Sequence, residues 1–261
     1  MPWFAVFLNL FALGILGAIA LVPFREIGRY YFRFHAMMAL VLVTGAVLLG
    51  QPWKGWSAAP PVARATGIAA LAFAAAVLLE NVLVRAVRTD LRSDALLLPA
   101  SLGVPFVAMT AFALSIKTYG VGASLLLTAH LLTSAAVLGT ALVAMTTGHW
   151  YLANAKLPFD ILVRLCRLFV LSVAAKAAVS AAYGVGRFDA YWGLEDFDKL
   201  VMGVRLSAGI VLAMILGIMS LSCAKRKANQ SATGILYVAV VFVLIGETIS
   251  MYLTLGAGRP L

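Results

Sequence analysis

Eight stretches of about 20 mostly apolar residues follow one another along this chain, each long enough to cross a bilayer. They cover residues 3–23, 34–51, 63–86, 95–116, 121–148, 158–185, 200–222 and 231–256. Inside a bilayer, backbone polar groups must be satisfied within each segment, so these windows predict helices. The connections are too short to form a soluble domain. The sequence therefore predicts an all-α, polytopic membrane bundle of eight transmembrane helices, with residues 1–261 forming a single domain.

The composition excludes an ordinary water-soluble protein. Hydrophobic residues make up 63% of the chain, charged residues only 11%, and the mean hydropathy is +1.01, whereas soluble domains carry about 25% charged residues. The formal net charge of +10 does not indicate a nucleic-acid partner, because the basic residues lie in short clusters between apolar windows. Topology signals have this distribution. We therefore expect the lipid bilayer to be the main surrounding of the chain.

The basic clusters also predict an orientation. Twelve Lys and Arg residues flank one side of the predicted membrane and six flank the other, and the richer side is expected to be cytoplasmic. This places both termini outside, in a multi-pass protein of the cell's inner (cytoplasmic) membrane. The first window has no basic segment ahead of it, so we expect a retained helix there and not a cleaved signal.

Four consecutive windows each carry one ionisable residue in their outer half: His130, Lys176, Arg205 and Glu247. At about 1.5 Å per helical residue, His130, Lys176 and Glu247 lie about nine residues from the outer surface and Arg205 about five. A lone ionised side chain at this depth costs roughly 2.5–3.5 kcal/mol. We therefore expect the four residues to share a layer inside the bundle, with Glu247 balanced by Arg205 or Lys176.

The spacing of polar and small residues supports this layer. Ser172, Lys176, Ser180 and Tyr183 recur at helical spacing and predict one polar stripe. In the last window, Thr233, Tyr237 and Glu247 are predicted to share a second stripe. Small residues near Arg205 predict a close approach of the seventh and eighth helices; they are Gly203, Ala208 and Gly209.

Two interpretations of the layer remain open at this stage. It is either a structural ion-pair network that sets the register of the helices, or a functional site, since intramembrane ionisable residues often mark proton relays and substrate sites. His130 favours the second interpretation, because an imidazole exchanges protons near neutral pH.

A second polar group lies near the inner face and contains Glu80, His35 and His149. Glu80 is predicted either to carry protons from the cytoplasm or to pair with Arg85 or Arg88. His35 and His149 are candidate axial ligands of a b-type haem if the second and fifth helices touch. A helix end with interfacial aromatic residues explains His149 equally well.

Motifs for other chemistries are absent from the sequence. Cys166 and Cys223 are far apart and belong to no paired-cysteine or Cys/His pattern, so we expect no metal site and a packing role for both. The chain has no GxSxG, HExxH, Walker or GxGxxG context, which argues against membrane hydrolases, metalloenzymes and nucleotide-binding proteins.

The predicted helix arrangement of the chain resembles that of the quinone-reactive membrane anchor subunits of bacterial respiratory complexes, of the NrfD and DmsC type. The resemblance consists of eight helices, external termini, no cofactor-binding cysteines and a polar layer in the outer half. It implies a quinone-binding role beside a redox partner subunit, and no residue role is carried over from that family.

These features predict a membrane subunit of an oxidoreductase complex that binds quinone among its last four helices. His130 and Glu247 would exchange protons with the quinone oxygens, and Arg205 and Lys176 would keep Glu247 ionised and stabilise a developing oxyanion. Two alternatives remain. One is a proton-coupled transporter or ion-translocating subunit with Glu80 as its inner station, and the other is a structural anchor, with or without one b-type haem.

Overall fold

The structure is a computed structural model of the 261-residue chain. It describes residues 3–23, 27–54, 57, 59–86, 102–112, 120–153, 158, 160–185 and 195–256. Within these ranges, the side chains of residues 84–86, 120–123, 153, 183–185 and 256 are not described.

The described residues form eight helices, in agreement with the predicted all-α fold. They are α1 (Trp3–Ala20), α2 (Arg29–Gly50), α3 (Pro61–Ala86), α4 (Leu102–Phe112), α5 (Gly120–Ala153), α6 (Asp160–Val185), α7 (Asp196–Lys225) and α8 (Asn229–Met251). A short π-helical turn, Tyr252–Gly256, continues α8. The predicted fourth window, 95–116, lies partly outside the described residues.

Six of these helices are long and apolar enough to cross a membrane by length and composition: α1, α2, α3, α5, α7 and α8. Of the other two, α4 is a shorter apolar helix over its described residues, and α6 carries Asp160, Arg164, Arg167 and Lys176. The fold is thus that of a multi-pass membrane protein whose apolar helices contact the lipid bilayer.

The chain divides into two compact units, residues 1–135 and 136–261. In the first unit, α2 and α3 are joined by a hydrogen bond of 2.9 Å from the Asn81 amide to the Ala36 carbonyl. The rings of Phe73 on α3 and Phe106 on α4 are stacked at 6.3 Å. In this unit, α3 therefore packs against both α2 and α4 through buried side chains.

In the second unit, α7 and α8 come into backbone contact at Gly209 and Gly246. A Cβ atom on Gly209 would lie 2.8 Å from the Cα of Gly246, and one on Gly246 would lie closer still to the Gly209 backbone. Small residues allow such approaches between membrane helices. The predicted close approach is right for Gly209 and wrong for Gly203, where a Cβ would meet nothing within 4 Å.

A π-helical segment, Ser207–Leu212, interrupts α7 at this crossing. Its hydrogen bonds run from residue i to residue i+5, so it holds more residues per turn than an α-helix and shifts the helix faces on either side. The segment begins two residues after Arg205 and contains Gly209. π-Segments are frequent at functional sites, and this one separates Arg205 from the rest of α7.

Candidate functional site

Lys176 and Glu247 form a buried ion pair between α6 and α8. The Lys176 Nζ lies 3.3 Å from the Glu247 Oε2, and the two residues are 1% and 2% exposed. Since a buried carboxylate without a counter-charge is strongly destabilising, this pairing explains how α8 tolerates Glu247. The sequence left Lys176 and Arg205 as alternative partners, and the structure pairs Glu247 with Lys176.

Arg205 joins this pair from α7 and is also buried, at 2% exposure. Its Nη2 donates a hydrogen bond of 3.1 Å to the Oγ of Ser180, one turn after Lys176 on α6. Arg205 is close enough to Glu247 for electrostatic attraction and to Lys176 for repulsion. The guanidinium makes no second hydrogen bond to a described residue, which leaves most of its five N–H donors available to a ligand.

The charges of this site do not balance. Lys176 and Arg205 bring two positive charges, whereas Glu247 is the single buried acidic residue among the described residues of the second unit. The cluster, called here the Lys–Arg–Glu site, therefore carries one excess positive charge when all three side chains are ionised. A buried site of this kind favours a ligand that is anionic or that develops negative charge during a reaction.

A stripe of hydroxyl groups extends the site along α6. Ser172, Lys176 and Ser180 are all buried, as their spacing of four residues predicts, while the Tyr183 side chain lies outside the described residues. The Ser172 Oγ is 2.9 Å from the Thr140 Oγ1 on α5. Sequence reasoning missed Thr140, because a threonine inside an apolar helix carries no signal that distinguishes an interhelical contact from a bond to its own helix.

On α8, the predicted stripe of Thr233, Tyr237 and Glu247 is wrong for Tyr237. Thr233 and Glu247 are buried, whereas Tyr237 is exposed. Ten residues separate Tyr237 from Glu247, and at 3.6 residues per turn this places them on different faces. Ser250 and Thr254, which follow Glu247 by three and seven residues, are buried instead.

His130 belongs to the first unit, and its side chain is buried there. Its backbone carbonyl accepts hydrogen bonds from the Thr133 Oγ1 at 2.9 Å and the Ser134 Oγ at 3.0 Å. The Lys–Arg–Glu site belongs to the second unit. The expected common layer of His130 with Glu247 therefore remains a prediction.

The two candidate haem ligands have different surroundings. His35 is fully buried in the first unit, with its Nδ1 2.8 Å from the Tyr31 carbonyl oxygen. His149 is exposed in the second unit, with its Nδ1 3.1 Å from the Tyr237 hydroxyl. The Tyr31 carbonyl can only accept, so this contact favours the His35 tautomer with its proton on Nδ1, whereas the Tyr237 hydroxyl can donate to or accept from His149. Shared haem ligation by the two residues remains a prediction.

Glu80 lies in the first unit and is 1% exposed. Neither of its carboxyl oxygens has a hydrogen-bond partner among the described residues. The predicted pairing with Arg85 or Arg88 falls on side chains that lie outside the described residues.

The two cysteines, distant in sequence, are neighbours in the second unit. Cys166 on α6 lies near Ser220 and Cys223 on α7. Both thiols are free, and Cys166 is buried. Among the described residues, no group of three or more His, Cys, Asp or Glu side chains is arranged to hold a metal ion.

The fold and the site together define a class: a multi-pass α-helical membrane protein with a buried, positively charged ion-pair site in its second unit. No protein-family model, curated protein or solved structure matches the chain. The class therefore stands on the fold and the Lys–Arg–Glu site alone.

Proposed function

We propose that this chain is the quinone-reactive membrane subunit of an electron-transfer complex and that the quinone head group binds at the Lys–Arg–Glu site. The observation that carries the proposal is the buried ion pair of Lys176 and Glu247 with Arg205 as an additional cation. Quinone sites combine apolar walls with a few titratable groups at hydrogen-bond distance. Lys176, Arg205 and Glu247 are the titratable groups of this proposal, and they lie on helices that are otherwise mostly apolar.

The chemistry assigns a distinct role to each residue. Oxidation of a quinol releases two protons and two electrons, and negative charge develops on the ring oxygen as each proton leaves. Arg205 and Lys176 would stabilise this charge as fixed donors, and Glu247 would accept a proton. The Glu247 Oε2 lies 3.3 Å from the Lys176 Nζ, so proton acceptance by Glu247 would occur beside a fixed cation.

A second proton acceptor and an electron acceptor complete the scheme. His130 would take the second proton if it lies in the same layer as Glu247. The electrons would pass to a redox partner subunit, since the sequence provides no cysteine pattern for a cluster. Three exposed basic residues at the end of α7 and in the turn that follows it would offer an acidic partner a docking surface; they are Lys225, Arg226 and Lys227.

The proposal includes eight membrane crossings with both termini outside the cytoplasmic membrane. In a variant without Cys166 and Cys223, we expect a cysteine introduced at Lys54, between α2 and α3, to react with a membrane-impermeant thiol reagent added to intact cells. A cysteine introduced at Ala228, between α7 and α8, should react only after the cells are opened. The reverse pattern would invert the orientation, and labelling of both positions in intact cells would contradict the number of crossings.

Quinone binding is tested by replacing Arg205 with lysine. Wild-type protein in lipid nanodiscs should be titrated with a short-chain quinone. We expect the quinone to quench the tryptophan fluorescence of the protein, or the fluorescence of a quinone-sensitive probe. Arg205→Lys should weaken the affinity about tenfold, because lysine loses the planar fork of donors that holds both Ser180 and a ligand oxygen.

Arg226→Lys is the matched control, since Arg226 is exposed on the turn after α7. Its quinone affinity should equal that of the wild type. Equal affinities of the Arg205 and Arg226 variants would remove the Lys–Arg–Glu site from quinone binding, and a wild-type protein that binds no quinone would overturn the proposed function.

The π-helical segment beside Arg205 favours a second candidate, a proton-coupled transporter or ion-translocating subunit. Interrupted helices next to a buried charge are a mark of secondary transporters. In this case, the interior of vesicles that contain the protein alone should acidify when a gradient of the transported substrate is imposed, with no electron donor present. Proton movement under these conditions, abolished by Glu247→Gln, would favour transport over quinone chemistry.

A further inference from the structure

Glu80 is a buried acid that the proposed quinone chemistry does not use. It lies on α3 in the first unit and is 1% exposed. Both carboxyl oxygens are fully enclosed, and neither accepts a hydrogen bond from a described residue. Glu80 also makes no ion pair with a described residue, in contrast to Glu247.

Among the residues whose side chains the structure describes, none forms an ion pair with Glu80. The adjacent Asn81 uses its amide N–H groups on the carbonyls of Ala36, at 2.9 Å, and Val77, at 3.0 Å. On α2, His35 is next to Ala36, and its Nδ1 is 2.8 Å from the Tyr31 carbonyl oxygen. Arg29 and Arg33 lie on the same helix and form no ion pair with Glu80. Neither α1 nor the described part of α4 contains a charged or titratable residue.

Burial without a partner decides the charge of a carboxyl group. An isolated ionised carboxylate in a low-dielectric interior is costly by several kcal/mol, and such groups take up a proton instead. A neutral carboxylic acid carries no net charge and has one O–H donor. The surroundings of Glu80 fit the neutral form, whereas the cations around Glu247 fit the ionised form.

We propose that Glu80 is a proton-binding site of the first unit, occupied by a proton at neutral pH and able to exchange it with water. The chain would then hold two membrane glutamates in opposite charge states, one neutral and one ionised. Among the described residues, Glu80 belongs to no group of three or more His, Cys, Asp or Glu side chains that could hold a metal ion, and a proton is the ligand that a lone buried carboxyl group fits. The inference stands whether or not the second unit binds quinone.

Infrared difference spectroscopy of the purified protein in lipid tests this inference directly. The wild-type spectrum minus that of Glu80→Gln should contain the C=O stretching band of a protonated carboxyl group, which lies above the amide bands. The band should move to lower frequency in D₂O if the proton exchanges. Bands of an ionised carboxylate in its place would overturn the proposal, and a protonated band that stays unmoved in D₂O would contradict proton exchange.

Glu247→Gln is the matched control, since it makes the same chemical change at the other buried glutamate. Its difference spectrum should contain carboxylate bands and no protonated C=O band. If Glu80→Gln fails to fold, Glu80→Asp serves instead, because it should displace the protonated band without removing it. The absence of any protonated band at position 80 from the Glu80→Asp difference spectrum would again overturn the proposal.

Discussion

Replacement of Glu247 with glutamine is expected to destabilise the second unit by about 3–5 kcal/mol, because it removes the carboxylate that pairs with the buried Lys176 and attracts the buried Arg205. Lys176 and Arg205 are 1% and 2% exposed, so water cannot take the place of the lost carboxylate. The free energy of unfolding, measured by denaturant titration in mixed micelles, should report the full loss.

The matched control is Glu195→Gln, because Glu195 is exposed just before α7. Its effect should stay within about 0.5 kcal/mol, as is usual for surface substitutions. Adding Lys176→Met to Glu247→Gln should recover part of the loss, since it removes one of the two buried positive charges. If Glu247→Gln costs no more than Glu195→Gln, the ion pair does not contribute to stability and the electrostatic basis of the site fails.

Gly246→Ala is expected to destabilise the protein by about 3 kcal/mol, at the upper end of the usual cost of overpacking. The added methyl group would overlap the Gly209 backbone, which cannot move aside as a flexible side chain can. Relief would require α7 and α8 to separate, and this would shift Glu247 relative to Arg205. We therefore expect the variant to lose both thermal stability and quinone affinity.

Gly234→Ala provides the control on the same helix. A Cβ atom on Gly234 would meet nothing within 4 Å, and alanine is a better helix former than glycine by about 0.8–1.0 kcal/mol. This variant should be as stable as the wild type or more stable. Melting temperatures that fall equally in the Gly234 and Gly246 variants would show that the α7–α8 contact is looser than the structure describes.

Glu247→Gln and Gly246→Ala separate the effect of charge on quinone binding from the effect of helix packing. Glu247→Gln changes charge without changing volume, whereas Gly246→Ala changes volume without changing charge. A loss of quinone affinity in both would mean that the position of Glu247, and not its charge alone, matters for binding. A loss only in Glu247→Gln would assign the effect to charge.

Much of the fold could be predicted from the sequence. The predicted window 158–185 corresponds to α6, Asp160–Val185, and 200–222 lies within α7, Asp196–Lys225. Helix boundaries in a membrane protein follow from hydropathy, because backbone groups in lipid have no alternative to intrahelical hydrogen bonds. The π-segment Ser207–Leu212 was not predicted, since no local residue pattern distinguishes it from α-helix.

The site was predicted in part. The common depth of Lys176, Arg205 and Glu247 follows from residue counts along straight helices, and the structure brings these three together. The stripe that included Tyr237 was wrong, because a spacing of ten residues turns that side chain to another face. The neighbours Cys166 and Ser220 were missed, since contact between helices depends on which faces meet.

The sequence by itself determined that this chain is an all-α membrane protein, and it predicted which residues are too polar to face lipid and the approximate depth of each. These properties depend on hydropathy and on the fixed rise per helical residue, and both are local. Only the tertiary structure decided that Lys176 pairs with Glu247, that Arg205 bonds to Ser180, and that Gly209 meets Gly246. The rotation of each helix about its axis, and the helices that it packs against, are set by the packing of whole helix surfaces. Many small contacts compete in this packing, so no single stretch of residues encodes the result.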